Sequence, residues 1–81
     1  MLPLVIEAIR HLSRRGALPK ELATRALAGD TAIDALGIDS LGKLDLLSEL
    51  EERADMTLSE SMILGLRTLE DIARMLDPGS P

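Results

Sequence analysis

Phenylalanine, tyrosine, tryptophan and cysteine are all missing from this chain of 81 residues, and that absence narrows the possible folds more than any motif does. The core has to be built from Leu, Ile, Ala and Met, a set that favours helices over strands. At this length there is room for one domain, spanning residues 1–81. Hydrophobic residues make up 46% and charged residues 28%, the balance of a folded globule and not of a disordered or fibrous chain. Without cysteine there are no disulfides and no thiolate chemistry. A single imidazole, His11, leaves no second one for a histidine-based metal site, so no metal is expected.

No apolar stretch approaches the roughly 20 residues of a membrane span, and Leu2-Pro3 follows Met1 without the charged region and apolar run of a signal peptide. A cytoplasmic location is expected, with no membrane association. The net charge of −5 is unevenly spread. Residues 1–29 carry five basic and two acidic groups, and residues 30–81 carry four basic and twelve acidic. Nucleic acid is a poor partner for the acidic part, because phosphate binding needs clustered Lys and Arg. A basic protein surface fits it better. The basic residues Arg10, Arg14, Arg15 and Lys20 are expected to pair with the acidic half or to complement a helix C-terminus.

Val5, Ile9 and Leu12 follow helical spacing, and Arg14-Arg15-Gly16 reads as a helix stop. The first helix is predicted over about residues 3–15. Residues 17–39 form a long connection broken by Pro19, Gly29 and Gly37, with one turn or short helix near Lys20 to Leu27. Loops of this length in a small domain tend to be functional. Asp39-Ser40 then opens the most periodic segment, a second helix over about 40–54. Thr57 and Glu60 have capping-box spacing ahead of Met62-Ile63-Leu64, predicting a short helix over about 58–64. Thr68 and Asp71 repeat that spacing before a last helix over about 68–77, which Pro78-Gly79 ends.

At about 100° per residue, Leu46, Leu47, Leu50 and Ala54 share an arc roughly 100° wide, the width of a core stripe. Leu41 and Leu44 fall on the opposite side beside Asp45, Ser48, Glu51 and Glu52. Two readings follow: an apolar docking patch rimmed by acids, or two leucines covered by Leu36 or Ile38 of the loop. Ser40 also has two readings. Serine is a preferred N-cap, and a helix start is equally a place where a phosphate ester on serine is stabilised by free amides and the helix dipole. Met56, Met62 and Met75 are either core filling or a pliable cavity lining.

The run Leu36-Gly37-Ile38-Asp39-Ser40-Leu41 at the head of an acidic helix resembles the attachment motif of acyl and peptidyl carrier proteins. The likeness extends over nearly the whole chain, to Arg67-Thr68-Leu69-Glu70-Asp71-Ile72 opening the final helix. It implies an all-α, acyl-carrier-like four-helix bundle, with three main helices, one short helix and a long loop between helices one and two. It also implies that a phosphopantetheinyl transferase places 4′-phosphopantetheine from coenzyme A on Ser40, and that the arm's thiol holds an acyl cargo as a thioester. By the same resemblance Asp39, Asp45, Glu51 and Glu52 match the acidic positions that partner enzymes read. Leu41 and Leu44 match the partner-facing apolar ones, with Ser48 among them. The implied partners are the transferase, an acyl-loading ligase or transferase, and condensing enzymes of fatty acid, polyketide or related biosynthesis.

Such a protein is a monomeric carrier and not an enzyme, raising the effective concentration of its cargo at each partner. Gly42-Lys43, Ala54-Asp55 and the basic first helix depart from the family's usual pattern and bear on the partner set. The alternatives are an aminoacyl or peptidyl carrier, or a helical module that binds another protein through Leu41 and Leu44 without modification. A Ser40–His11 nucleophile and base pair lacks an oxyanion motif. Asp30, Asp34 and Asp39 lack the alternating spacing of a calcium loop.

Overall fold

Helix α1 covers Leu2–Arg15, with Pro3 in its first turn, where a missing amide costs no hydrogen bond. Its end follows from Gly16, whose φ of 85° lets the chain reverse. The Gly16 and Ala17 amides return to the carbonyls of Ser13 and Leu12, at 3.1 and 2.9 Å. Val5, Ala8, Ile9 and Leu12 are buried along one stripe, the side that packs against α2 (Ser40–Ala54), α4 (Leu69–Leu76) and the loop. A shorter helix, α3, covers Glu60–Leu64. This computed structural model describes residues 1–76, so the expected last-helix residue at 77 and the Pro78-Gly79 stop lie outside the described residues.

The long connection is more ordered than its punctuation suggests. It holds two 3₁₀ turns, Lys20–Ala23 and Ile33–Leu36, and sends Leu18, Leu22, Ile33, Leu36 and Ile38 into the same core as the helices. Two residues of α1 fasten it. Ser13, fully buried, donates its hydroxyl to the Pro19 carbonyl at 2.6 Å. Arg10 Nη1 donates to the carbonyls of Leu22, Ala23 and Arg25 at 3.4, 2.9 and 3.3 Å. Arg25 in turn reaches the Ala35 carbonyl at 2.9 Å. Arg10 thus serves main-chain oxygens, where the charge pattern predicts pairing with the acidic half or a helix end. The reason is geometric: a guanidinium with five donors can satisfy several turn carbonyls at once.

On α2 the arc read from sequence is the buried one: Leu46, Leu47 and Leu50 are in the core and Ala54 packs against it. Asp55 ends the helix in the left-handed region at φ 53°, which short polar residues tolerate better than most. The chain then runs without helix to bury Leu58, and α3 begins at Glu60 with Ser59 as its N-cap. That is two residues later than the Thr57–Glu60 spacing predicts, because carrying Leu58 into the core uses the intervening residues. Met62 is 42% exposed, so it neither fills the core nor lines its interior; its sulfur accepts from the Ser59 amide instead. Met56 and Met75 do pack against the core.

The start of α4 accounts for every leading amide. Arg67 and Thr68 amides donate to Asp71 Oδ2 at 3.1 and 3.2 Å, and the Asp71 amide donates to Thr68 Oγ1 at 3.3 Å. This is the capping box legible in the sequence. The amides between, Leu69 and Glu70, find the loop carbonyls of Thr31 and Gly29 at 3.1 and 2.8 Å. Ile33 completes the join by donating to the Arg67 carbonyl at 2.8 Å, around an isolated antiparallel bridge between Ala32 and Thr68.

The amides of Arg67 and Thr68 hold the Asp71 carboxyl below its ordinary range; the Thr68 hydroxyl and the Arg74 charge act in the same direction. A carboxylate whose folded value is lowered stabilises the fold above its unfolded value of about 3.9, and that contribution fades as pH falls below it. Asp71→Asn is therefore expected to be less stable than the parent at pH 6. Denaturant titrations should show the gap narrowing once pH drops below about 4; a gap independent of pH means that the carboxylate charge is not involved.

Candidate functional site

Two buried side chains hold the motif in place. Leu36 and Ile38 are both in the core, and Gly37 between them sits at φ 70°, a conformation that a residue with a Cβ adopts only at a cost. The chain emerges at Asp39 in an extended conformation, and Asp39 is the N-cap of α2: its Oδ1 accepts from the Gly42 amide at 2.7 Å. Ser40 is the first helical residue and is exposed. The capping reading of Ser40 therefore belongs to its neighbour, and the serine hydroxyl takes no part in the cap.

Gly42 lies beneath this turn and is buried. A Cβ there would meet Ile38 Cγ2 at 2.8 Å, Leu18 Cδ2 at 3.0 Å and the capping Asp39 Oδ1 at 3.1 Å. The missing side chain lets loop and helix close up directly behind Ser40.

Around Ser40 the surface mixes exposed leucines with charged side chains. Leu41 is 68% exposed and Leu44 40%, so neither is covered by the loop; Leu36 and Ile38 point into the core instead. A cleft of about 70 Å³ opens between α2 and α3, lined by Ser40, Lys43, Leu44, Glu60, Ile63 and Leu64. Leu64 is 70% exposed and extends the apolar surface onto α3. Lys43, Ile63 and Leu64 also border a neighbouring hollow that continues to Ile33, Asp34 and Arg67.

The acidic residues do not form one ring. Asp45, Ser48 and Glu52 border a hollow on the other flank of α2, facing Arg15 and Ala17 at the end of α1. Glu49 joins them there, and its carboxylate pairs with Arg53 at 2.6 Å. Glu51 is half-buried, and its carbonyl accepts from the amides of the helix-ending turn. Asp39 sits at the helix start. Helical periodicity groups Leu41, Leu44 and the acids on one broad face, whereas the packing of α1 and α3 on either side sets Leu44 in the cleft toward α3 and Asp45, Ser48, Glu49 and Glu52 in the hollow toward α1. Glu60, Ile63 and Leu64 escape a sequence reading because a five-residue helix has too few turns to define a face. Glu49 is legible, one turn beyond Asp45.

Among the described residues, four helices, a long fastened loop and an exposed serine at the head of α2 make up a small all-helical domain. Residues 16–76 match the family model of the phosphopantetheine attachment site, and the chain belongs to that family. Comparison with curated proteins and with solved structures gives no match. The family is defined by covalent attachment of 4′-phosphopantetheine, and its domains are in general carriers that meet modifying and biosynthetic enzymes. The motif suits that group: Ser40 is exposed and free of the cap, and it stands at a helix start where the dipole favours an ester phosphate.

Two substitutions separate packing from surface. Gly42→Ala improves helix propensity by up to about 1 kcal/mol, yet it forces a Cβ against the stiff Ile38 branch. The expected net effect is a loss of about 1–2 kcal/mol in chemical denaturation; a gain in stability would show that the contact relaxes freely. Leu44→Asp is expected to leave stability within about 0.5 kcal/mol, since Leu44 is exposed. A large loss of helicity on circular dichroism would place Leu44 in the core.

Proposed function

We propose that this chain is an acyl carrier protein in which Ser40 bears the 4′-phosphopantetheine arm. The arm supplies the thiol that holds an acyl group as a thioester, a function for which the chain itself has no cysteine. The observation that carries the reading is the division of labour at the head of α2: Asp39 caps the helix and the adjacent serine hydroxyl is left exposed. The apolar side chains of the cleft beside it, Leu44, Ile63 and Leu64, support an acyl cargo over a charged aminoacyl one.

In this reading the chain is monomeric and cytoplasmic, and catalysis belongs to its partners: a phosphopantetheinyl transferase, an acyl-loading ligase or transferase, and condensing enzymes of fatty acid, polyketide or related biosynthesis. Those partners meet Leu41 and Leu44 together with Asp39, Asp45, Ser48, Glu51 and Glu52. No helix among the described residues is long and apolar enough to cross a membrane.

Incubation with coenzyme A and a broad-specificity phosphopantetheinyl transferase, followed by peptide-resolved mass spectrometry, tests the anchor. The arm is expected on Ser40, and Ser40→Ala is expected to abolish it with stability unchanged within about 0.5 kcal/mol. An arm found elsewhere in that variant refutes the site. Wild-type protein that gains no mass favours an unmodified module binding another protein through its exposed leucines.

A further inference from the structure

Lys43 follows Ser40 by one helical turn, and the two border the same cleft between α2 and α3. Side chains three apart on a helix have Cβ atoms roughly 5–6 Å from each other, and each Cα–Cβ bond leans toward the helix N-terminus. The lysine stem is thus directed back toward the serine. Its ammonium makes one ion pair among the described residues, with Asp34 Oδ1 at 3.9 Å, and that carboxylate is 95% exposed. A pair so long and so solvated holds an ammonium weakly.

An ester phosphate on Ser40 enters a site already rich in negative charge. The Asp39 carboxylate occupies the helix start through its 2.7 Å bond to the Gly42 amide, and Glu60 borders the cleft from α3. Lys43 is the cation lining that cleft. Resting on Ser40 as the anchor, we propose that Lys43 binds the phosphodiester of the arm, giving up Asp34 to do so. This contact turns the root of the arm toward Leu44, Ile63 and Leu64 on the α3 side and away from the acidic flank that faces α1.

The chain contains two lysines, Lys20 and Lys43, so the wild-type protein carries its own control. Side-chain ¹⁵N and ¹³C resonances of both are to be recorded by NMR before and after arm attachment, with attachment verified by mass. The Lys43 ammonium and Cε signals are expected to move severalfold more than those of Lys20. Asp34→Asn should enlarge that movement by removing the competitor, and the phosphodiester ³¹P resonance should differ between wild type and Lys43→Met. Lys43 signals that stay in place on an armed Ser40 overturn the phosphate contact while leaving the anchor intact. A wild-type chain that takes no arm overturns both. The wild-type comparison decides alone, so a variant that resists the transferase leaves its outcome standing.

Discussion

Five consecutive amides at the head of α4 determine where the long loop runs. Amides at a helix start have no acceptor within the helix, and the local capping box supplies acceptors for Arg67, Thr68 and Asp71 only. The two amides left over draw in the carbonyls of Gly29 and Thr31, which pins the middle of the loop to a helix far along the chain. From that point the path is short. Ile33 and Leu36 enter the core through one 3₁₀ turn, Gly37 reverses the chain, Ile38 enters after it, and Asp39 arrives where α2 must begin. The position of Ser40 thus follows from these hydrogen bonds together with the burial of Ile33, Leu36 and Ile38.

The site combines rigidity behind the serine with openness in front of it. Behind lie Ile38, Leu18 and the buried Gly42, packed closely enough that one methyl group has no room. In front lie an exposed hydroxyl, two exposed leucines and a narrow cleft to α3. Such an arrangement suits the anchor proposed at Ser40: the turn behind it is closely packed, and nothing among the described residues covers it. The neighbouring helices give the two flanks of α2 different chemistry: Leu44, Ile63 and Leu64 with Lys43 and Glu60 toward α3, and a cluster of acids toward the basic end of α1.

Short-range chemistry is the part of this fold that its sequence makes legible. Arg14-Arg15-Gly16 marks the end of α1, the Leu46, Leu47, Leu50 arc marks the buried face of α2, and Thr68 with Asp71 marks a box that forms. The run through Ser40 carries the family resemblance that the match over residues 16–76 bears out. The illegible parts depend on contacts between distant residues. Arg10 reads as a partner for carboxylates because charge is visible in a sequence and turn carbonyls are not. The loop reads as a connection because its five core residues are too widely spaced for any period. Spacing alone starts α3 too early because burial of Leu58 competes with the Thr57 cap, and local pattern cannot weigh the two.

The grip of Arg10 on the carbonyls of Leu22, Ala23 and Arg25 is indifferent to side-chain identity, since every residue type carries the same oxygen. Over generations the side chain at position 23 is therefore free of this contact, while the course of the loop stays fixed from below; position 25 is held separately, by the bond of its guanidinium to the Ala35 carbonyl. Position 10 has no such latitude: a lysine cannot reproduce the planar fork. Variation among descendants of this chain should accordingly be lopsided, permissive where the loop is held and strict at the residue that holds it.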